Sequence, residues 1–275
     1  MKNPDPSQKA DLLFCLLDDL SLEGYEASLK LLFQSFLGVR FLIGVKTKNM
    51  SKTRFEYICK RLEMPDTYYA QCLEKLTESN MILFGFEEDG KRCIYKIYLE
   101  FNEKNRLIVR QTGSKTPLIQ YLGYKWDSFD NQKSLITTYK WFPFISTSEM
   151  YERIEQIYAK KDQMQLLLIE DLIQLGISNI KDSLDPYIYL EATDSLRKSF
   201  DLNLYKANLT MGQLEQIVLK SMHFFEIDTR KFNVFLWKLR NKVFGHISGG
   251  YSSFGDIFLS LYYDVFSDSK KRKGL

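Results

Sequence analysis

The sequence is poor in the residues that usually announce metal or redox chemistry. Among 275 residues there are two histidines, His223 and His246, and four cysteines, Cys15, Cys59, Cys72 and Cys93, with no C-x-x-C pair. A multi-histidine metal site or a thiol redox motif is therefore not expected, and the cysteines read as reduced, mostly buried thiols. No apolar run approaches the ~18–20 residues of a membrane span. The start, Met1-Lys2-Asn3-Pro4-Asp5-Pro6, lacks a charged-then-apolar leader pattern, and the short run Leu12–Leu17 stops at Asp18-Asp19. These features fit a cytoplasmic protein. The six prolines and 14 glycines do not gather into a linker. A net charge of +3, from 38 Lys+Arg and 35 Asp+Glu, is too small to indicate nucleic acid. Lys270-Lys271-Arg272-Lys273 forms a short basic tail, read as a solvated terminus, with RNA or acidic lipid as alternative partners. The reading is one domain over 1–267 and a tail over 268–275.

Aromatic residues are abundant instead. They make up 15% of the chain, as 17 Tyr, 20 Phe and 3 Trp, within 45% hydrophobic residues overall. That is enough apolar material for a sizeable core and excludes disorder as the main state.

The pattern alternates between helical and strand periods. Leu12, Leu13, Leu16, Leu17 and Leu20 share a helix face, and Leu29, Leu32, Phe33 and Phe36 repeat the spacing. Val39–Val45 reads as a strand. Ser51 N-caps a helix carrying Phe55, Ile58, Cys59 and Leu62, and Pro65 starts another that ends near Asn80. Met81–Glu87 and Cys93–Phe101 are strands joined by the hairpin signal Asp89-Gly90. Leu107–Arg110 reads as a further short strand, followed by Leu118–Trp126 and Leu135–Phe142. Ser146-Thr-Ser-Glu149 is a capping box that opens two helices reaching Leu175. Strands Pro186–Ala192 and Ser199–Asn208 come next. A second box, Thr210-Met-Gly-Gln213, opens helices carrying Leu214, Ile217, Val218, Phe224, Phe235 and Leu239. Strands Val243–Ser248 and Ile257–Val265, turned by Gly249-Gly250, close the chain. Strand links are hairpins or helical pairs, so the sheet is antiparallel. Nine or ten such strands favour closure into a barrel over exposed edges.

Alternation then separates two faces on each strand. Ile94, Lys96, Tyr98 and Glu100 oppose Tyr95, Ile97, Leu99 and Phe101. Asp201, Asn203 and Tyr205 oppose Phe200, Leu202 and Leu204, while Tyr187, Tyr189 and Glu191 oppose Ile188 and Leu190. His246 and Ser248 oppose Gly245 and Ile247; Ser260 and Tyr262 oppose Leu259 and Leu261. If helices cover the apolar face, the tyrosine-rich face lines the inside of a wide barrel. Such a lining suits a ligand with an apolar tail and an anionic head.

The helix–strand–strand–helix repeat resembles the soluble aromatic and peptide prenyltransferases of the ABBA type. Local likenesses are Thr138-Tyr139-Lys140-Trp141-Phe142-Pro143, similar to a Tyr-x-Phe-Phe-Pro strand end, Phe200-Asp201-Leu202-Asn203-Leu204-Tyr205, similar to Val-Asn-Leu-Tyr, and Leu261-Tyr262-Tyr263 on the last strand. The resemblance implies an α+β fold with a closed barrel of about ten antiparallel strands ringed by helices. It implies transfer of a prenyl group from an allylic diphosphate to an aromatic small molecule or peptide side chain. It places Asn203 and Tyr205 at the diphosphate, with Tyr139 and Tyr262 in the tunnel wall. No cofactor is implied, and magnesium could accompany the diphosphate. Two departures stand out: Thr137 and Phe258 occupy positions where some relatives carry a diphosphate lysine, and the chain reads as one strand pair short.

Within that chemistry, Lys96, Arg40 and Asn203 are the candidates for holding the anion. Tyr98, Tyr139, Tyr189, Tyr205 and Tyr262 are candidates for the wall, and Glu100, Glu191 and Asp201 for proton removal from the acceptor. A structural Lys96–Glu100 ion pair is the rival to the first assignment. His246 is either a ligand contact or a hydrogen-bonded histidine of the barrel rim. A carrier or chromophore- and lipid-binding barrel, without catalysis, is the alternative function. An interaction module using the basic tail is a third.

Overall fold

The computed structural model describes residues 6–90, 92–158, 162–180, 187–194 and 196–266. The basic tail and Pro186 lie outside the described residues. The strands are β1 (Gly24–Leu32), β2 (Ser35–Leu37), β3 (Arg40–Lys46), β4 (Met81–Asp89), β5 (Arg92–Glu100), β6 (Leu118–Asp127), β7 (Ser134–Trp141), β8 (Ile188–Thr193), β9 (Lys198–Asn203), β10 (Phe244–Tyr251) and β11 (Ile257–Phe266). Each pairs antiparallel with its neighbour, and β11 returns to β1 from Ala27↔Tyr263 to Leu31↔Leu259, closing a ring. Ten strands form the closed barrel, while β2 extends β1 outside it.

Eight helices lie among the described residues: α1 (Pro6–Leu17), α2 (Lys52–Arg61), α3 (Asp66–Leu76), α4 (Asn102–Thr112), α5 (Thr147–Ile157), α6 (Gln163–Asn179), α7 (Glu215–Phe224) and α8 (Thr229–Leu239). Ser51 caps α2 by accepting from the Arg54 N–H, and Ser146 and Glu149 complete the capping box of α5. Period-two strands and period-3.6 helices then put their apolar stripes together. Leu13, Leu16, Phe55, Ile58 and Cys72 pack over Ile43, Phe84, Ile97 and Trp126. Met150, Ile154, Ile169, Leu172, Phe225 and Phe232 pack with Leu31, Phe200, Leu202, Ile247 and Leu261. The hydrophobic core is thus a sleeve between sheet and helices, and the polar strand faces are left for the barrel interior.

Four expectations change. The stripe Leu29–Phe36 belongs to β1 and β2, because Leu29 and Leu31 also alternate and pair with Leu261 and Leu259. Closure of the ring overrides an ambiguous local pattern. Leu107–Arg110 lies inside α4, which buries Asn105 and Val109 one turn apart and ends at Gly113 in the left-handed region (φ 63°). The sequence count of ten strands therefore included 107–110 and omitted 24–32, and the barrel is not short of a pair. The strand read to Asn208 stops at Asn203, where a 3₁₀ turn (Tyr205–Ala207) begins. Finally, Gly249-Gly250 lies within β10, and the turn is made by 252–256, with the Ser252 N–H donating to the Asp256 carbonyl at 2.8 Å. Gly250 is required by contact and conformation: its φ is +121°, and a Cβ would come within 2.4 Å of the Lys198 carbonyl oxygen.

Candidate functional site: a charge-divided barrel interior

The inward residues of β5, Lys96, Tyr98 and Glu100, cross the interior in the order cation, tyrosine, carboxylate. On antiparallel β1 the order is reversed in sequence and the same in space: Glu26, Ser28, Lys30. Arg40 begins β3 and Arg197 precedes β9, both on the cation side. A strand's direction thus decides which of its ends carries charge of each sign.

At the cation end, Arg40 Nε and Lys96 Nζ donate to Glu87 Oε2 at 2.8 and 2.5 Å. Arg40, Lys96 and Glu87 are at most 9% exposed. Lys30, Lys125 and Arg197 join them and feel one another's charge. Among the described residues the hydrogen-bond partners of the Lys125 ammonium are neutral, the hydroxyls of Thr137 and Tyr139, each at 3.2 Å. Phe258 lies under both Lys30 and Arg197, 5.2 Å from ring centroid to each cation. Four cations, Arg40, Lys96, Lys30 and Lys125, therefore act on Glu87, and Arg197 acts on Lys30 and Lys125, with Asp194 near Lys125 and Arg197 and Asp89 near Lys30. Burial pushes Lys96 down to about 7, against the pull of Glu87, and pushes Lys125 well below the ordinary lysine range. Despite burial, Glu87 is held well below the usual carboxylate range by Lys96, Arg40 and Lys30. Charging desolvated ammonium groups is costly, so this end gains from an incoming anion.

Tyrosine rings separate the two ends. Tyr98 and Tyr139 meet at 5.8 Å between centroids, and Tyr121 meets Tyr139 edge-on at 6.2 Å. Lys125 faces the rings of Tyr98 and Tyr139, Arg197 faces Tyr139, and Arg40 faces Tyr262, all at 5.7–5.9 Å. Gly123 makes room for this layer, since a Cβ there would come within 2.6 Å of the Tyr98 ring.

Beyond the tyrosines lies a cavity of about 400 Å³, lined in part by Glu23, Glu26, Glu100, Asp201, Asn203, His246, Tyr98, Tyr121, Tyr139, Tyr205 and Tyr262. His246 stacks on Tyr262 at 3.7 Å and bridges two carboxylates, with Nδ1 2.9 Å from Asp201 and Nε2 3.2 Å from Glu26. Burial alone would lower the imidazole, yet Asp201 and Glu26 raise it well above its ordinary value, and with both ring nitrogens against carboxylate oxygens the geometry is that of an imidazolium. Glu100 accepts from the Asn80 amide at 2.8 Å and the Tyr121 hydroxyl at 2.9 Å, and burial raises its carboxyl.

The structure brings together most residues singled out by alternation. Glu100, Asp201, Tyr98, Tyr139, Asn203, Tyr205, His246 and Tyr262 line the cavity, and Arg40 and Lys96 lie behind the tyrosines. Lys96 pairs with Glu87, so the Lys96–Glu100 ion pair is not formed. Asn203 lies on the carboxylate side, where its side-chain oxygen accepts from the Tyr205 N–H at 3.0 Å.

Tyr189 and Glu191 are corrections. They face outward with Tyr187. In the β8–β9 register Ile188 and Leu190 stand opposite Asn203 and Asp201, so the aliphatic pair faces inward. Tyr189 is buried against Phe142, and Glu191 takes two hydrogen bonds from Arg153 of α5, at 2.6 and 3.0 Å. Lys30, Lys125, Arg197, Glu87 and Glu26 were not anticipated. Lys125 had a signal, a lysine between Tyr124 and Trp126 on a strand, whereas Glu26 and Lys30 were hidden by the helical reading of 24–37.

This is the ABBA prenyltransferase architecture: an antiparallel ten-strand barrel with a polar, aromatic interior and an outer helical ring. No family model and no curated protein matches the chain. Solved structures do, at the level of fold. The 5-dimethylallyltryptophan synthase from Streptomyces coelicolor matches with a TM-score of 0.63 and 11% identity, over 97% of this chain and 92% of that one. Its complex with DMASPP and Trp matches at 0.60 and 11%, over 97% and 90%. The prenyltransferase PriB in its apo form matches at 0.54 and 12%, over 87% and 79%.

Proposed function

We propose that the chain transfers a prenyl group from an allylic diphosphate to an aromatic acceptor inside the barrel. The observation that carries this reading is the excess of buried and half-buried cations directly behind a tyrosine layer. A diphosphate supplies the anion that these cations lack, its prenyl chain passes between the rings, and the cavity beyond receives the acceptor. The complex of the Streptomyces enzyme with DMASPP and Trp supports the pairing of an allylic diphosphate with an aromatic acceptor in this fold.

The allylic C–O bond breaks with its electron pair leaving on the diphosphate, which Lys30, Arg40, Lys96, Lys125 and Arg197 stabilise. The allyl cation is held against the faces of Tyr98, Tyr139 and Tyr262, whose rings attract positive charge and exclude water. A π pair of the acceptor ring forms the new bond to carbon, and the ring proton passes to Glu100 or Asp201. Glu100, raised by burial, is the better matched base. Thr137 and Phe258 do not weaken this scheme, because lysines on β1 and β6 supply the charge beside them. The cations do the work that magnesium otherwise does. Activity is therefore expected to persist in EDTA, and any magnesium enters on the diphosphate oxygens.

Incubation with dimethylallyl or geranyl diphosphate and a panel of aromatic acceptors, followed by mass spectrometry, tests the reading. A product heavier by the prenyl group supports it. Binding of the diphosphate with no product across the panel leaves a carrier instead, and no heat on titrating either diphosphate removes the transfer reading.

A further inference from the structure

The cavity on the acceptor side is as one-signed as the diphosphate side, with the opposite sign. Its described lining contains Glu23, Glu26, Glu100 and Asp201, and no lysine or arginine. Glu23 is paired with Lys46 at 2.9 Å, at the rim. Asp201 and Glu26 share the single imidazolium of His246. Among the described residues Glu100 takes hydrogen bonds from neutral donors only, and the more distant charges of Arg106 and Glu103 act on it with opposite signs. The enclosed groups therefore carry more negative charge than the protein itself balances, and their side chains are largely withdrawn from water. An uncompensated charge in such a place favours an entering cation and disfavours an entering anion.

Resting on the transfer reading for the site as a whole, we propose that the acceptor is an aromatic amine carrying a protonated ammonium and no carboxylate. Its ring lies against Tyr98, Tyr121 and Tyr262, and its ammonium faces Glu26, Asp201 and Glu100. A free aromatic amino acid is a poorer fit, because its carboxylate would enter a chamber with no lysine or arginine to receive it. The tyrosine rings between the two ends keep the acceptor's cation from the lysines that hold the diphosphate.

The test uses matched probes and does not depend on turnover. First, dimethylallyl thiolodiphosphate is titrated into the protein by calorimetry, which examines the diphosphate end. Then tryptamine, tyramine, tryptophan, indolepropionate and hydroxyphenylpropionate are titrated with and without that analogue. Tryptamine or tyramine is expected to bind at least about ten-fold more tightly than its carboxylate counterpart and than tryptophan, about the effect of one charge interaction at intermediate dielectric. In Glu100→Gln, whose amide oxygen can still accept from Tyr121, the preference is expected to shrink. Glu26→Gln is expected to do the same, and the unaltered protein decides the matter if either variant fails to fold. Equal or tighter binding of the carboxylates, or no binding of any amine while the diphosphate analogue binds, overturns the acceptor assignment and leaves prenyl transfer standing. Amine preference without diphosphate binding removes the transfer reading and keeps the acidic chamber as an amine site.

Discussion

The two ends of the barrel are built from the same ten strands and differ in nearly every electrostatic respect. At one end, lysines and arginines crowd around Glu87, and burial depresses Lys96 and Lys125. At the other, carboxylates outnumber their one imidazolium, and His246 is raised by Asp201 and Glu26. The difference teaches that a closed sheet can hold opposite unbalanced charges apart, provided something apolar separates them. Here that separator is a layer of tyrosine rings, with Arg40, Lys125 and Arg197 facing it from one end and the His246 ring stacked on Tyr262 at the other. Neither end is optimised for the empty protein, because buried unbalanced charge costs stability. Under the proposed function, each end gains from a ligand of opposite sign.

The comparison can be broken most forcefully at Glu87. Glu87→Gln leaves Arg40 and Lys96 without their carboxylate and is expected to destabilise the empty protein by about 3–5 kcal/mol. Inorganic pyrophosphate should restore much of the lost melting temperature in a thermal scan. A variant that melts normally would mean that Glu87 is not the anchor of the cation end.

Lys125→Met comes next in size. Because, among the described residues, this ammonium meets hydroxyls and aromatic rings but no carboxylate, removing it is expected to leave stability unchanged or improved. Pyrophosphate affinity should fall by about 1.5–3 kcal/mol, the range of a charge-assisted hydrogen bond. Loss of stability without loss of affinity would assign Lys125 to the scaffold.

A smaller effect follows from Lys96. Its folded-state value, about 7, lies below that of an unfolded lysine. Between these values the unfolded chain binds more protons, so the stability of the empty protein is expected to rise with pH. Pyrophosphate should reverse this trend by drawing a proton onto Lys96. Calorimetry at pH 8 in buffers of different ionisation enthalpy is expected to show net proton uptake on binding, after correction for the ligand's own ionisation. No uptake would mean that Lys96 stays neutral and takes no part.

The least effect is expected across the tyrosine layer. Asp201→Asn should lower the His246 pKa, seen by NMR titration, while changing pyrophosphate affinity by less than about two-fold, since Glu26 remains and the rings intervene. A larger change in affinity would show that the two ends are coupled.

Much of this organisation is legible in the sequence alone. The lysine, tyrosine and glutamate at 96, 98 and 100 announce a polar inner face by period two alone, as do Asp201 with Asn203 and Ser260 with Tyr262. The cap at Ser51 and the box at Ser146 mark helix starts because side-chain oxygens there satisfy backbone N–H groups. Gly113 could have marked the end of α4, but the short run Leu107-Ile108-Val109 outweighed it.

What the sequence by itself determined was the existence of two faces on each strand, the hairpins, the caps and closure of a roughly ten-stranded sheet. It could not determine which face is the inside, because this barrel buries both, one beneath helices and one around a cavity. Tyr189 and Glu191 look as suited to a lined interior as Tyr98 and Glu100. Only the register of β8 against Asp201 and Asn203 turns them outward. The charge division is likewise a property of the closed ring. Glu26 and Lys30 are one more alternating pair until β1 joins β11, and that closure sets cation beside cation and carboxylate beside carboxylate from strands distant in sequence.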